Sequence, residues 1–239
     1  MSTVLTAIAC FLFNQKKFRE RNRHINKEDF HKRLCRFSNE AFSIEHLTEK
    51  FNVSSEDELK TWLHLAVVRE PVDRFLSGFV DKCVREKIWR RFPKRCNECQ
   101  QNISCFLERE HTRMMGFARG ERLNSFDDRH FFPQNWRCDF SAHFRRFRFV
   151  RYSPDVKGTK TFFSNVLTML RQWNVTEDEI AFVESQVSEG RTEHATFSTV
   201  ERRKIESQVR SSPKMMRRLV QMYYYDFALF GYPLPYIPL

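Results

Sequence analysis

The sequence predicts one α/β domain over residues 1–239, with a central, mainly parallel sheet flanked by helices. Three observations carry the prediction. Residues 63–68 form a short apolar run ending in two valines, the pattern of a strand buried on both faces. At Pro71 the period changes: Val72, Phe75, Leu76, Phe79, Val80 and Cys83 recur at helical spacing and fill one arc, with Arg74, Ser77 and Asp81 opposite. Residues 147–152 alternate Phe, Arg, Phe, Val, Arg and Tyr, and read as a second strand ended by Ser153-Pro154. Strands alternating with helical segments are the units from which parallel sheets are built.

A chain of 239 residues is long enough to bury one sizeable core. A hydrophobic content of 41% with 25 Phe excludes a disordered chain, and 6 Gly with 8 Pro exclude low complexity. The formal charge of +11 asks for an anionic partner, whether nucleic acid, acidic lipid or acidic glycan. Charge alone does not choose among them. Seven cysteines, with Cys83, Cys96, Cys99 and Cys105 crowded together, suggest an oxidising compartment. Asn-x-Ser/Thr triplets at Asn52, Asn102 and Asn174 agree with it. No stretch reaches the ~18 apolar residues that a membrane span needs.

In chain order, residues 1–13 place Val4, Leu5, Ile8, Phe11 and Leu12 at helical spacing, and the helix is expected to continue into the charged run 16–23. Ala7-Ile8-Ala9 resembles a signal cleavage site, but no basic n-region precedes it, so a core helix is the reading. Residues 22–60 are polar, with a helix at 44–51 and a turn at 52–55. His46, on that helix, has the residue type of a general base but reads as a surface residue. His64, inside the first strand, reads as a hydrogen-bonded core histidine.

Pro71 suits the first turn of a helix, where its missing N–H costs nothing. Arg69 therefore falls at the carboxyl end of a strand, where open α/β sheets bind ligands. An anion fits there. The helix N-terminus offers unpaired N–H groups, Arg69 a guanidinium fork, and Ser77 a hydroxyl, with Gly78 leaving room beside it. The plain alternative is an amphipathic helix that happens to carry an Arg and a Ser.

Residues 85–95 are dense in Arg and Lys and lead into Cys96-Asn97-Glu98-Cys99 and Cys105. Cys96, Cys99, Cys105 and His111 have the residue types of a zinc site, which on a basic chain suggests nucleic acid. The spacing fits no standard knuckle and Asn102 is a sequon, so disulfides are preferred. Residues 108–120 read as a helix ended by Gly120. Residues 157–160 read as a solvated loop before helices at 161–173 and 177–188. Thr176 and Glu179 form a capping box for the second. Two basic helices follow at 199–210 and 214–230.

The stretch 69–82, Arg-Glu-Pro-Val-Asp-Arg-Phe-Leu-Ser-Gly-Phe-Val-Asp-Lys, resembles the 3′-phosphate-binding motif of Golgi carbohydrate sulfotransferases. That motif runs Arg, Asp or Glu, Pro, two residues, Arg, Leu or Phe, Leu, Ser, Ala or Gly, Tyr or Phe, two residues and Lys. Among these enzymes the chain is most similar to the chondroitin, dermatan and HNK-1 sulfotransferases, particularly nematode-type members. Residues 130–134 resemble the family's His-aromatic-x-Pro-Gln segment, and Tyr223 to Tyr232 its Tyr-x-x-Asp-Phe/Tyr-x-Leu-Phe-Gly-Tyr ending, read here as packing over the sheet.

The resemblance implies the fold of 3′-phosphoadenosine 5′-phosphosulfate (PAPS)-dependent sulfotransferases, which is like that of nucleotide kinases. It implies that Arg69 and Ser77 grip the 3′-phosphate of PAPS and that no metal takes part. Ser2 and Thr3 look like the tail of the 5′-phosphosulfate loop, entering a helix. The Lys expected before them and a membrane anchor are both missing, so an N-terminally incomplete sequence is expected; the alternative is a product without catalytic competence. His130 becomes the candidate contact to the acceptor sugar, as base, against a structural role in a Pro-containing loop. Lys157, Gly158, Thr159 and Lys160 fall where relatives run near the nucleotide. The function implied is sulfuryl transfer from PAPS to a hydroxyl of an anionic, chondroitin-type glycan, in the Golgi lumen, by a protein membrane-anchored when complete. The alternatives are a catalytically impaired homologue that binds nucleotide or anionic glycan, and a zinc-containing nucleic-acid binder.

Overall fold

Short polar side chains decide where most of the helices begin. Asn14, Ser43, Ser55, Asn102, Asp155, Thr199 and Ser212 each accept a hydrogen bond from the backbone N–H three residues on, satisfying a donor that the helix itself leaves open. The computed structural model describes residues 2–123, 125, 127–188 and 196–237. In chain order its helices are α1 (Ser2–Phe13), α2 (Gln15–Glu20), α3 (Ile44–Lys50), α4 (Glu56–Lys60), α5 (Pro71–Phe79), α6 (Ile103–Ala118), α7 (Asp128–Phe131), α8 (Phe140–His143), α9 (Val156–Gln172), α10 (Glu177–Ser188), α11 (Val200–Arg210) and α12 (Pro213–Phe230). The strands are β1 (Leu65–Arg69) and β2 (Arg148–Tyr152). They form a small parallel sheet in a mostly helical α/β architecture.

The caps explain where the expected boundaries move. Asn14 caps α2 and so separates it from α1, breaking the helix expected to continue into the charged run. Asn102 starts α6 at Ile103 rather than at residue 108. Asp155 accepts from Gly158 N at 2.8 Å, so residues 157–160 are the first turn of α9 and not a loop. The first strand begins at Leu65, later than expected. His64 stands just before it, its ring nitrogen bonded to Leu59 O at 3.0 Å and its carbonyl accepting from Arg148 N. β1 is also less sealed than a run buried on both faces: Ala66 and Val68 are buried, while Leu65, Val67 and Arg69 are half-buried in alternation. An apolar run shows what a strand tolerates; coverage depends on what packs beside it.

The chain divides into two compact units. The first comprises the described residues of Met1–Ala66, His143–Val150 and Pro154–Ala195. Its core stacks Phe11 on Phe182 at 4.4 Å between ring centroids, with Phe18 edge-on to Phe11 at 5.6 Å. The Arg19 guanidinium covers the Phe182 ring at 4.0 Å. Cys10 and Cys35 are joined by a disulfide.

The second unit comprises the described residues of Val67–Ala142, Arg151–Ser153 and Thr196–Leu239. Its core is an aromatic cluster of Phe75 and Phe79 from α5, Phe106 from α6, Phe131 from α7 and Tyr223 from α12, all fully buried. Each such side chain contributes about 2–3 kcal/mol by leaving water. A π-helical turn over Val80–Arg85 prolongs α5. Disulfides Cys83–Cys96 and Cys99–Cys105 staple the segment that follows. Among the described residues no helix is long and apolar enough to cross a membrane.

Candidate functional site

The carboxyl end of β1 is held by three clamps, all within the second unit. The Gln134 side-chain amide pairs with both sides of the Arg69 backbone, accepting from its N–H at 2.9 Å and donating to its carbonyl at 2.8 Å. Gln134 is fixed in turn by the fully buried Asp226 carboxylate, which accepts from Gln134 N and Asn135 N at 2.8 Å each and from Asn135 Nδ2 at 2.6 Å. Tyr223 donates its hydroxyl to Phe131 O at 2.5 Å. The segments of residues 130–135 and 223–226, remote in sequence, thus form one scaffold behind the strand end.

With its backbone held, Arg69 presents its side chain along α5. Its Nη2 donates to Ser77 Oγ at 2.7 Å and its Nε to the Asp73 carboxylate. A second guanidinium arrives from α11. Arg202, only 1% exposed, donates to Ser77 Oγ at 3.2 Å and to Asp73 Oδ1 at 2.8 Å, with Glu206 at 3.4 Å. Its buried Nε has no hydrogen-bond partner among the described residues. Thr196, buried, places its hydroxyl 3.0 Å from Ser77 Oγ. Ser77 is therefore the meeting point of two cations and a second hydroxyl, a donor set matched to a tetrahedral oxyanion.

The helix N-terminus contributes differently from expectation. Glu70 caps α5, its carboxylate accepting from Asp73 N at 2.5 Å, so these N–H groups are not all left open for a ligand. Burial pushes the Glu70 carboxyl up from the usual carboxylate range. What the strand end offers an anion is therefore side chains. Arg74 does not sit on a free polar arc either: its Nη1 donates to Phe132 O at 3.0 Å, and burial draws its guanidinium pKa down. Gly78 is favoured by close approach, since a Cβ there would lie 3.0 Å from Cε1 of the buried Phe131 ring.

His130 lies on α7, beside Phe131 in the chain. Burial first, then the charges of Lys82, Arg74 and Arg95, push its pKa down to about 4, so the ring is neutral in neutral solution. Lys82 is itself paired with Asp81 at 2.9 Å and Glu86 at 2.6 Å. Ser2 and Thr3 belong to the first unit, in the opening turn of α1 rather than in a loop. The zinc reading is overturned: Cys96, Cys99 and Cys105 are consumed in disulfides, and His111 stands 3.4 Å from the Arg218 guanidinium. Among the described residues no His, Cys, Asp and Glu cluster is arranged to hold a metal.

Sequence reasoning named Arg69 and Ser77, and the structure brings them together. It did not single out Arg202, Thr196, Gln134 or Asp226, which the structure places around them. For Gln134 and Asp226 a signal existed, because both lie in segments that carry the family resemblance. For Arg202 none did; it is one basic residue among several on α11.

A strand of a small parallel sheet that turns into a helix, with an arginine and a serine side by side at the turn, defines an α/β protein with a candidate oxyanion site at the strand end. The chain belongs to the Sulfotransferase family, whose description matches residues 1–233. It is 36% identical over 238 residues to an uncharacterized protein of Caenorhabditis elegans, covering 98% of this chain and 65% of that protein. It is 29% identical over 241 residues to the carbohydrate sulfotransferase chst-1 of the same organism, covering 99% of this chain and 71% of chst-1. It is also 33% identical over 201 residues to the C. elegans putative sulfotransferase vep-2, covering 83% of this chain and 60% of vep-2. The chain thus spans between about three fifths and seven tenths of the length of these relatives. No solved structure matches it.

Proposed function

We propose that this chain transfers a sulfuryl group from PAPS to a hydroxyl of a glycan, with chondroitin-type glycosaminoglycan as the acceptor class. The observation that carries the reading is the convergence of Arg69 and Arg202 on Ser77 at the carboxyl end of β1. In this reading the 3′-phosphate of PAPS takes the place of the Asp73 carboxylate on Arg69 and receives the Ser77 hydroxyl. Arg202 orients Ser77 and adds positive charge from below. Ser2 and Thr3 are assigned to the 5′-phosphosulfate on the sequence motif alone.

The transfer is an in-line displacement at sulfur: the acceptor oxygen bonds to sulfur as the bond to the bridging phosphate oxygen breaks, and the acceptor hydroxyl loses its proton. Positioning and charge stabilisation are the protein's share, as in phosphoryl transfer. His130 is the proposed proton acceptor. It is uncharged at neutral pH, and an anionic glycan beside Lys82, Arg74 and Arg95 offsets the charges that depress its basicity. The reading includes a place, the Golgi lumen, with membrane attachment in the whole protein. Three disulfides and the exposure of Asn52, Asn102 and Asn174 support it.

The test is to incubate the protein with labelled PAPS and a panel of glycans, alongside calorimetric titration with adenosine 3′,5′-bisphosphate. Label transferred to a glycan, with nucleotide binding, supports the whole reading. Nucleotide binding without transfer assigns the chain as a binding homologue. No nucleotide binding at all overturns the reading.

A further inference from the structure

Apart from Arg95, whose charge acts on His130, the segment closed by the Cys83–Cys96 disulfide has no part in the site described above. It carries Arg85, Lys87, Arg90, Arg91, Lys94 and Arg95 against a single acid, Glu86. That acid is taken by Lys82 at 2.6 Å, and Arg95 is taken by Asp127 at 2.7 Å. Lys87, Arg90, Arg91 and Lys94 have no acidic partner among the described residues, and the last three are exposed.

This is not a loose charged tail. Besides the disulfide, Trp89 donates its indole N–H to Cys83 O at 2.9 Å, and Ile88 and Trp89 pack against the core of the second unit. Lys87 is held at a φ of +48, which a non-glycine residue adopts only where its surroundings impose it. Arg90 lies over the Trp89 ring at 5.6 Å and Arg91 over the Phe92 ring at 5.2 Å, with Phe92 47% exposed. Like charges gathered in one short loop repel one another, and a disulfide and a half-buried tryptophan hold the loop in place.

We infer that this loop is the docking surface for an acidic polysaccharide, the polymer whose hydroxyl is to be sulfated; the inference rests on the function proposed above. Interleaved guanidinium groups and aromatic faces suit a chain of uronate carboxylates and sugar rings. A lipid surface is less well matched, because Phe92 is the loop's one exposed large apolar side chain, at 47%, and no α-helix carries the cations. Nucleic acid fits poorly with a loop held by a disulfide, which reducing compartments do not maintain.

The test reverses the loop's charge with Arg90→Glu, Arg91→Glu and Lys94→Glu together, with Arg90→Lys and Arg91→Lys as the charge-keeping control. Affinity for unsulfated chondroitin polymer is measured over a salt series, with adenosine 3′,5′-bisphosphate titrated in parallel. The reversed protein is expected to bind the polymer at least tenfold more weakly. Its slope of log affinity against log salt should be shallower by about 2, as for other polyanions that release counterions on binding. Nucleotide affinity should be unchanged and the Lys protein should behave as wild type. Polymer affinity that survives charge reversal overturns the inference. So does loss of binding to anionic phospholipid vesicles with polymer binding intact, which reassigns the loop to a membrane. Equal loss of nucleotide binding in the reversed and Lys proteins also overturns it, marking the loop as structural. Absence of nucleotide binding in the wild type counts against the proposed function, and the polymer measurement still decides the loop.

Discussion

Ser77 Oγ receives one guanidinium at 2.7 Å and another at 3.2 Å, while the Asp73 carboxylate pairs with both cations. Charge-assisted hydrogen bonds are worth about 1.5–3 kcal/mol each, so Arg69→Ala should weaken adenosine 3′,5′-bisphosphate binding by about 100-fold. Arg202→Gln should have a smaller effect with a specific signature. It should narrow the preference for adenosine 3′,5′-bisphosphate over adenosine 5′-monophosphate, because only the former carries the 3′-phosphate; calorimetry on both nucleotides checks this. A purely structural Arg202 would weaken the two equally.

His130 makes a pH prediction at the same scale. Its folded pKa of about 4 lies below the 6.5 of an unfolded histidine, so between these values the unfolded chain binds the proton that the folded chain refuses. Its contribution is intact above pH 6.5 and is lost as pH falls through that window, by about 2 kcal/mol at pH 5. Urea unfolding at pH 7 and pH 5 should show this loss, and His130→Gln should remove that part of the slope.

The elements around the site behave as one assembly because a few side chains tie them together. β1 ends where Gln134 grips Arg69; Gln134 stays because Asp226 of α12 holds it; α7 stays against α5 because Gly78 admits the Phe131 ring. Asp226→Ala leaves three donors at the scaffold without their charged acceptor. The expected cost is about 3 kcal/mol or more of stability, read from denaturant unfolding. It should be accompanied by weaker nucleotide binding although Asp226 touches no part of the cradle. An Asp226→Ala protein that binds nucleotide as wild type would show that the strand end needs no such support.

Across the whole chain, a two-stranded sheet is accompanied by three cross-links. Cys10–Cys35 staples the first unit, and Cys83–Cys96 and Cys99–Cys105 the second, leaving Cys138 as the free thiol. Peptide mapping without reduction should return those three linkages. Replacing Cys83 and Cys96 with Ala opens a loop of 13-residue separation and should cost about 3 kcal/mol, seen as a lower Tm. Full stability after reduction would show that the bridges are incidental.

The sequence by itself determined what is local. The period change at Pro71, the pair Arg69 and Ser77 eight residues apart, the second strand and most helices follow from spacing and capping chemistry within a few residues. Even the missed starts of α6 and α9 had their signals in Asn102 and Asp155. What only the tertiary structure decided is which distant groups share that neighbourhood. Arg202 is 125 residues from Ser77, and Asp226 is 92 from Gln134, and nothing in either local pattern marks the pairing. The same holds for the capped N-terminus of α5. A glutamate before a proline reads equally well as a ligand-binding turn or as a cap, and the fold chose the cap by burying Glu70 against Asp73 N. Local propensity acts through the backbone over one or two turns, whereas a buried charge is placed by whichever elements exclude water around it.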